Sequence, residues 1–558
     1  VPTPPFDRFV KHPELSELLE RLAAEHPRLI EVGSIGTSFE DREIWLCTLT
    51  NQDTGPHNEK PAIWIDANIH ATELTGSAAA LFLINKLLTE HGADPKVTRA
   101  MDTRCFYVVP RLNPDGAELA MAERPTYVRS SARAYPRVDQ QDGLIPQDID
   151  NDGRILMMRV PDPNGTWKPY GEDPRLLVPR EPDDDEPGDY YRLLREGRIQ
   201  NYDGVTIKTA PALQGLDMNR NYPGDWRPEG EQFGAGPYPT SEPEIRATVQ
   251  AIVDRPNICA FIQYHTMSGV HLRPYGTKAD EALPTVDLRV FKKIGEKATE
   301  LTGYPAVSVF HDFRYDPKDV ITGVADDWAY DHLGVHAWTT EFWNPFRKAG
   351  IDYTFIEWGL DHPFDDDLKL LAWCDEELGE DGYVPWYPFD HPELGAVELG
   401  GWNTAGFLRN PPAHLLEPEI APHADFAIYH VSISPRLALR DLEVTAIGED
   451  TWRVRLVVEN TGWLPTQVTQ KALDRKIVRA LEAEITVPAE AEVVGERRVE
   501  LGQLAGRALR NAMLSAAEST NDRAKADWIV RAPAGTEVRV EARHQRAGVV
   551  RATAVLTP

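Results

Sequence analysis

The stretch AIWIDANIHATELTGSAAALFLINKLLTE, residues 62–90, decides how this chain folds. Its opening run, residues 62–69, is short and apolar, with Ile63, Ile65 and Ile69 supplying β-branched side chains. Such a run predicts a strand buried on both faces. Residues 77–90 then have the length and apolar content of a buried helix. A buried strand feeding a helix through a short loop is the unit of a helix-flanked sheet. Outward from it, the pattern predicts strands over 104–110, 259–264 (CAFIQY) and 335–340 and a helix over 242–253. Upstream, Leu15, Leu18, Leu19 and Leu22 stand at helical spacing within 12–26, and strands are expected at 29–35 and 43–50. The fold class read from this is α/β, a mixed, mostly parallel sheet flanked by helices. In such sheets ligands collect beyond the carboxyl ends of the strands.

Two segments depart from that pattern. Residues from about 135 to 213 are crowded with Asp, Pro and Gly and read as a long insertion of loops and short strands. From about residue 437, alternating segments at 452–459, 476–488, 536–544 and 549–556 read as an all-β sandwich. The expected division is a helix-flanked sheet domain over 1–435, carrying that insertion, and a β-sandwich domain over 436–558.

The chain has 558 residues and a net charge of −29, with 42% hydrophobic residues. That acidity argues against a nucleic-acid or anionic-membrane partner, since both require basic surfaces. No apolar run reaches the ~20 residues of a membrane span. Cys47, Cys105, Cys259 and Cys374 lie far apart and read as buried free thiols, and no CxxC spacing suggests thiolate zinc. No signal peptide is visible, although a chain opening on Val1 leaves a trimmed leader open. A soluble, cytoplasmic protein is favoured over an exported one; oligomeric state is not legible.

The chemistry starts where the first strand ends. His70 and Glu73, three residues apart at a strand exit, can turn toward one point, and both are ligand types that a catalytic zinc takes. The pattern alone is common and serves equally as solvated loop polars. His265 stands at the matching end of another apolar strand and becomes the third ligand candidate. Further along come Asn113-Pro114-Asp115-Gly116, Asp217-Met218-Asn219-Arg220-Asn221 and Asp327-Trp328-Ala329-Tyr330, followed by a strand ending in Glu341.

With this ordered set, and with Gly36-Thr37-Ser38-Phe39-Glu40-Asp41-Arg42-Glu43-Ile44 before it, the chain resembles the zinc carboxypeptidases of the carboxypeptidase A and B type from about His12 to Asp375. The resemblance implies one Zn²⁺ held by His70, Glu73 and His265, with Asp217 behind His70. It implies Glu341 as general base and Asn219 and Arg220 as the clamp for the free C-terminal carboxylate of a peptide substrate. Arg129 would stabilise the oxyanion, with Arg133 a substitute because the spacing is about one residue off. Tyr315, rather than Asp319, would cap the substrate. Asp326 would line the specificity pocket and favour a C-terminal Arg or Lys.

Departures from that family matter too. Thr72 stands where an Arg usually contacts more distant substrate residues. The insertion is expected to overhang the cleft, and its Asp148, Asp150 and Asp152 resemble the start of a calcium loop, although Arg159 at the twelfth position excludes a full EF-hand. No globular segment precedes His12, so any restraint on activity is expected from the insertion or the β-domain. Alternatives to a carboxypeptidase are an amidohydrolase or deacylase on the same scaffold, and a non-catalytic binding module.

Overall fold

The computed structural model describes residues 4–184, 187–314, 316, 318, 320–352, 358, 359, 361–509, 513 and 519–557. Eight strands form the main sheet: β1 (Ile30–Thr37), β2 (Glu43–Leu49), β3 (Ala62–Ala67), β4 (Cys105–Val109), β5 (Ile258–Thr266), β6 (Val270–Arg273), β7 (Ala306–Ser308) and β8 (His336–Phe342). Their spatial order is β1-β2-β4-β3-β5-β8-β6-β7. The central pairs β4/β3, β3/β5 and β5/β8 are parallel, as is β6/β7, while β1/β2, β2/β4 and β6/β8 are antiparallel. This is the helix-flanked mixed sheet expected from the sequence.

Strand periodicity divides the core between the two faces. In β3, Ile63, Ile65 and Ala67 enter one cluster with Leu81, Ile84 and Ile420 from the flanking helices. Ala62 and Trp64 enter the other, with Ile245, Ile252 and Trp328. Helices α1 (His12–Glu25), α2 (Leu74–Glu90), α3 (Pro95–Thr103), α4 (Pro243–Val253), α5 (Thr285–Thr302) and α6 (Ala413–Ser432) flank the sheet. The sequence reading begins α2 at residue 77. It starts at Leu74 instead, because Gly76 permits a contact that a side chain would obstruct: a Cβ there would stand 3.0 Å from Tyr264 Cβ and 3.1 Å from its carbonyl.

Of the short strands in the insertion, Gly143–Pro146 and Gly197–Gln200 pair with each other, but the rest do not form a unit of their own. Met157–Pro161, Tyr191–Arg195, Trp167–Pro169 and Leu177–Pro179 continue a sheet begun by the hairpin Tyr383–His391 and Gly395–Trp402. Glu398 pairs with Arg159 in register and through a 2.7 Å ion pair. The insertion is thus tied to chain more than 200 residues downstream, a pairing that local sequence does not announce.

From Leu437 onward two four-stranded antiparallel sheets enclose one core, with Trp452, Val454, Leu456 and Val458 alternating inward. They dock tightly on the α/β unit. Buried Arg546 donates to the carbonyls of Gly334 and Gln467 (both 3.0 Å) and of Leu333, and Asp287 accepts the backbone N–H groups of Gln470 and Lys471. All four cysteines are buried and free. No helix among the described residues is long and apolar enough to cross a membrane.

His271, His336 and His430 are buried, and burial pushes each down to about 3 from the ordinary 6.5. The unfolded chain therefore takes up protons below pH 6.5 that the folded chain refuses until about pH 3. Their contribution to stability is whole above pH 6.5 and falls as pH falls, by up to ~1.4 kcal/mol per pH unit for each histidine. Buried Glu196 and Glu244, both raised to about 7 by burial, act in the opposite sense, so the effect is read by difference. His430→Gln, which keeps a donor for the His336 carbonyl, is expected to reduce the pH dependence of urea unfolding between pH 6 and 4 by about one proton. An unchanged slope would contradict the assignment.

Candidate metal centre and active-site cleft

The loop leaving β3 is shaped by asparagines. Asn68 takes the left-handed conformation at φ 61° and its side-chain amide donates to the His70 carbonyl at 2.7 Å. Asn113 Nδ2 and Ser130 Oγ both donate to the carbonyl of Ile69 (3.1 and 2.7 Å), and Ala71 N–H donates to the carbonyl of Arg129. Asp115 accepts from Ser38 Oγ, Arg42 Nη1 and Glu40 N–H, which fastens the early hairpin to the same corner. The Asn-Pro-Asp-Gly motif and that hairpin are thus the scaffold of the loop.

On that scaffold His70, Glu73 and His265 meet. Their ligand atoms all lie within 4.8 Å of one another, and all three residues are buried. His70 Nδ1 stands 2.9 Å from Glu73 Oε1, and His265 Nδ1 stands 3.1 Å from both Glu73 Oε2 and His70 Nδ1. The other ring nitrogens fix the tautomers. His70 Nε2 lies 3.1 Å from Asp217 Oδ1, and His265 Nε2 lies 2.7 Å from Gln263 Oε1; both partners accept, so both Nε2 atoms carry the hydrogen. The two Nδ1 lone pairs and a carboxylate therefore converge on one point. That is a donor set for a cation, and two imidazoles plus a carboxylate fit zinc with one side open.

Charge follows the same logic. Burial opposes ionisation of Glu73, but His70 and His265 together hold it well below the usual carboxylate range. Burial likewise opposes Asp217, yet Arg129, Arg220 and His70 outweigh it and hold that carboxyl well below its ordinary value. Burial lowers His265, keeping its imidazole neutral.

The sequence reading names Asp217 behind His70 but nothing behind His265. The structure places Gln263 there. Its Nε2 donates to Asp66 Oδ1 at 2.8 Å, Trp64 Nε1 donates to Asp66 Oδ2 at 2.8 Å, and all three side chains are fully buried. Asp66 thus turns the Gln263 carbonyl toward His265. Two polar residues inside an apolar strand run were the only sequence signal.

The remaining site residues line one cleft. Glu341 pairs in register with His265 across β5 and β8 and lines the cleft beside it, and its buried Oε2 accepts no hydrogen bond from any described residue. Burial, with the charge of Glu73 added, pushes Glu341 well above the ordinary carboxylate range. A cation held by Glu73 removes that second contribution. Asn219 Oδ1 accepts the Ala325 N–H at 3.0 Å, which leaves its Nδ2 donors for the cleft that Asn219 and Arg220 both line. Asp326 lies in the same cleft among Leu272, Val309, Phe313, Ile321 and Val324; burial lifts it to about 6.

Arg129 also lines the cleft, with Nε 3.0 Å from Asp217 Oδ2 and Nη1 3.5 Å from Glu73 Oε1. Arg133, the substitute, instead ion-pairs with buried Glu242 at 2.5 Å. Tyr315 and Asp319 lie outside the described residues. A residue the sequence reading missed is Arg409, whose positive charge favours ionised Glu341. Its neighbour Asn410 donates to the Thr72 carbonyl and accepts from Thr75, binding this distant segment to the metal loop.

Among the described residues, none of those lining the cleft comes from 135–213, which gives the expected overhang no support. The calcium loop gains no support either. Asp148 and Asp150 gather with Glu196, but Asp152 turns onto Arg154. Each carboxylate oxygen already accepts an internal donor: Asn151 and Gly153 on Asp148, Asp152 and Tyr387 on Asp150, Ile149 and Leu156 on Glu196.

Comparison with known proteins gives a zinc carboxypeptidase family profile matching residues 15–168 and 185–356, and a domain of unknown function matching 436–555. The chain is similar to carboxypeptidase A2 of Rattus norvegicus, 24% identical over 342 residues that cover 59% of this chain and 61% of the relative. It is also similar to carboxypeptidase A1 of Rattus norvegicus, 24% identical, covering 61% and 62% respectively. The chain thus spans about three fifths of the length of these curated relatives. A crystal structure of thrombin activatable fibrinolysis inhibitor aligns with 16% identity and a TM-score of 0.43, covering 76% of this chain and 75% of that one.

Gln263→Leu should strand the Nε2–H of His265 and weaken zinc binding ~10- to 100-fold in a chelator competition. Gln263→Glu, which keeps an acceptor on His265, should lose less. Equal affinities for Leu and wild type would show that the Gln263 bond does not orient the ligand.

Proposed function

Because the chain belongs to the zinc carboxypeptidase family, we propose that it is a zinc-dependent carboxypeptidase hydrolysing the C-terminal peptide bond of peptides. The observation that carries this reading is the convergence in one cleft of the His70–Glu73–His265 donors, the unpartnered Glu341 oxygen and the Asn219–Arg220 pair. Zinc held by the three donors supplies Lewis acidity and acidifies water toward a pKa of about 7.

The chain's own residues do the rest. Glu341 Oε2 takes the proton of the attacking water and returns it to the leaving amine, a task suited to a group whose proton affinity is raised by its surroundings. Asp217 keeps the hydrogen of His70 on Nε2 and so leaves Nδ1 to the metal. Arg220 and the Nδ2 of Asn219 receive the two oxygens of the terminal carboxylate, which confines cleavage to the last peptide bond. Arg129 stabilises the oxyanion as the carbonyl is attacked. The intact carboxylate clamp favours a peptide end over an N-acyl or murein-type amide, and the intact base argues against a binding module. Arg409 supplies, from a distant segment, the cation that Thr72 does not, and contacts substrate residues upstream of the cleaved bond.

Asp326 gives the cleft its preference. Asp326 accepts the Asp327 N–H and a Thr339 hydrogen bond, yet burial still lifts it to about 6, so a C-terminal Arg or Lys is the side chain that compensates it.

Glu341→Gln is expected to lower kcat by about 10²–10⁴ while zinc content stays at one per chain. Retained turnover would refute the assignment of the base. In a two-peptide competition, Asp326→Ala should reduce the preference for C-terminal Arg over Leu by ~30-fold, equivalent to ~2 kcal/mol. Equal turnover of both peptides by the unmodified protein would remove the basic preference and leave the peptidase reading standing.

A further inference from the structure

A second cavity, of about 630 Å³, lies where α3 and the ends of α2, α5 and α6 meet the β-domain. It sits at the opposite edge of the sheet from the metal cluster. Arg104 in its wall immediately precedes β4, whose first residue pairs with Ala62 at the start of β3, whereas His70 follows the far end of β3. Its walls are fixed. Thr461 N–H donates to the Arg436 carbonyl, Leu464 N–H to that of Ile433, and Arg104 donates to the carbonyls of Val431, Ser432 and Ser434.

The cavity is cationic on a chain whose net charge is −29. Among the described residues two carboxylates line it, and both are used. Asp94 caps α3 by accepting from Lys96 and Val97 N–H, and Asp425 pairs with Lys86. Lys96, Arg99 and Arg436 have side chains without a hydrogen bond or ion pair to any described residue, and Arg507 adds a further cation to the wall. Arg99 and Arg436 lie close enough to Arg104 to add to the effect of burial in lowering it to about 10. Like charges that outnumber the acids beside them repel one another, and an entering anion relieves that repulsion. The guanidinium forks match phosphate oxygens bidentately. Leu301, Ile433, Tyr429 and Trp463 add apolar and aromatic lining.

We propose that this cavity, whose lining combines Lys96, Arg99 and Arg436 with Tyr429 and Trp463, binds a phosphate-bearing small molecule with a planar or apolar portion. The phosphate groups meet the cations and the remainder packs on the rings. Because its walls come from both the α/β unit and the β-domain, such a ligand bridges the two.

Calorimetric titration of the full-length, zinc-loaded protein at low ionic strength tests this with ADP, inorganic phosphate and adenosine. Saturable binding of ADP, weaker binding of phosphate and none of adenosine are expected. Arg99→Glu/Arg436→Glu should weaken ADP binding at least about tenfold, with peptidase kcat/KM and melting temperature unchanged. Lys96→Glu/Arg99→Glu, confined to the exposed face of α3 and away from the β-domain joint, should do the same and guards against misfolding of the first variant. No saturable binding of ADP or phosphate would overturn the proposal. So would full ADP affinity in both variants, since the anion would then sit elsewhere, for example on Arg220. Phosphate binding as tightly as ADP would overturn the apolar half and leave an inorganic anion as the ligand.

Discussion

Three lone-pair donors pointing at one another cannot rest side by side without something positive between them. His70 Nδ1, His265 Nδ1 and the Glu73 carboxylate are held in that relation by hydrogen bonds on their far sides, to Asp217 and to Gln263. The fold puts considerable structure into keeping this arrangement. Asn68, Asn113 and Ser130 fix the loop after β3, Gly76 lets α2 settle close on β5, and Asp66 orients Gln263 from within the sheet. A site so constrained would bind an ion by geometry set in advance, with little reorganisation left to occur.

The parallel centre of the sheet explains why these residues meet. Ile262 and Gln263 of β5 lie in register with Ile65 and Asp66 of β3, and His265 lies in register with Glu341 of β8. Strands that run the same way finish at the same edge, so His70, His265 and Glu341, far apart in sequence, emerge as neighbours. Antiparallel outer pairs and apolar clusters on both faces hold that edge rigid.

Charge is distributed unevenly over this acidic chain. Around the cleft, Arg129, Arg220 and Arg409 offset the buried carboxylates Asp217 and Glu341. At the far edge of the sheet, cations gather beside the β-domain with little acid to offset them. The β-domain itself is joined to the α/β unit through a buried arginine, Arg546, that satisfies carbonyls of both parts. Such a joint is costly to open, because separation would leave that guanidinium and its acceptors without partners in a largely apolar interface.

The amino-acid order by itself determined the α/β sheet, the later β-sandwich and the residues of the candidate metal cluster, because buried strands, alternating strands and strand-end histidines leave local signatures. Residues 62–90 could be read as strand, loop and helix without any knowledge of the rest. Only tertiary structure decided what lies behind and beside those donors. Gln263 behind His265 and Arg409 near Glu341 went unread, and nothing local announced that strands of the insertion continue a distant hairpin. Asp152 looked like a calcium ligand until Arg154 was seen to take it. Each of these depends on contacts between residues far apart in the chain, or on which of several donors reaches an acceptor first. Periodicity and spacing report local geometry, and carry no record of which distant side chain will close a hydrogen bond.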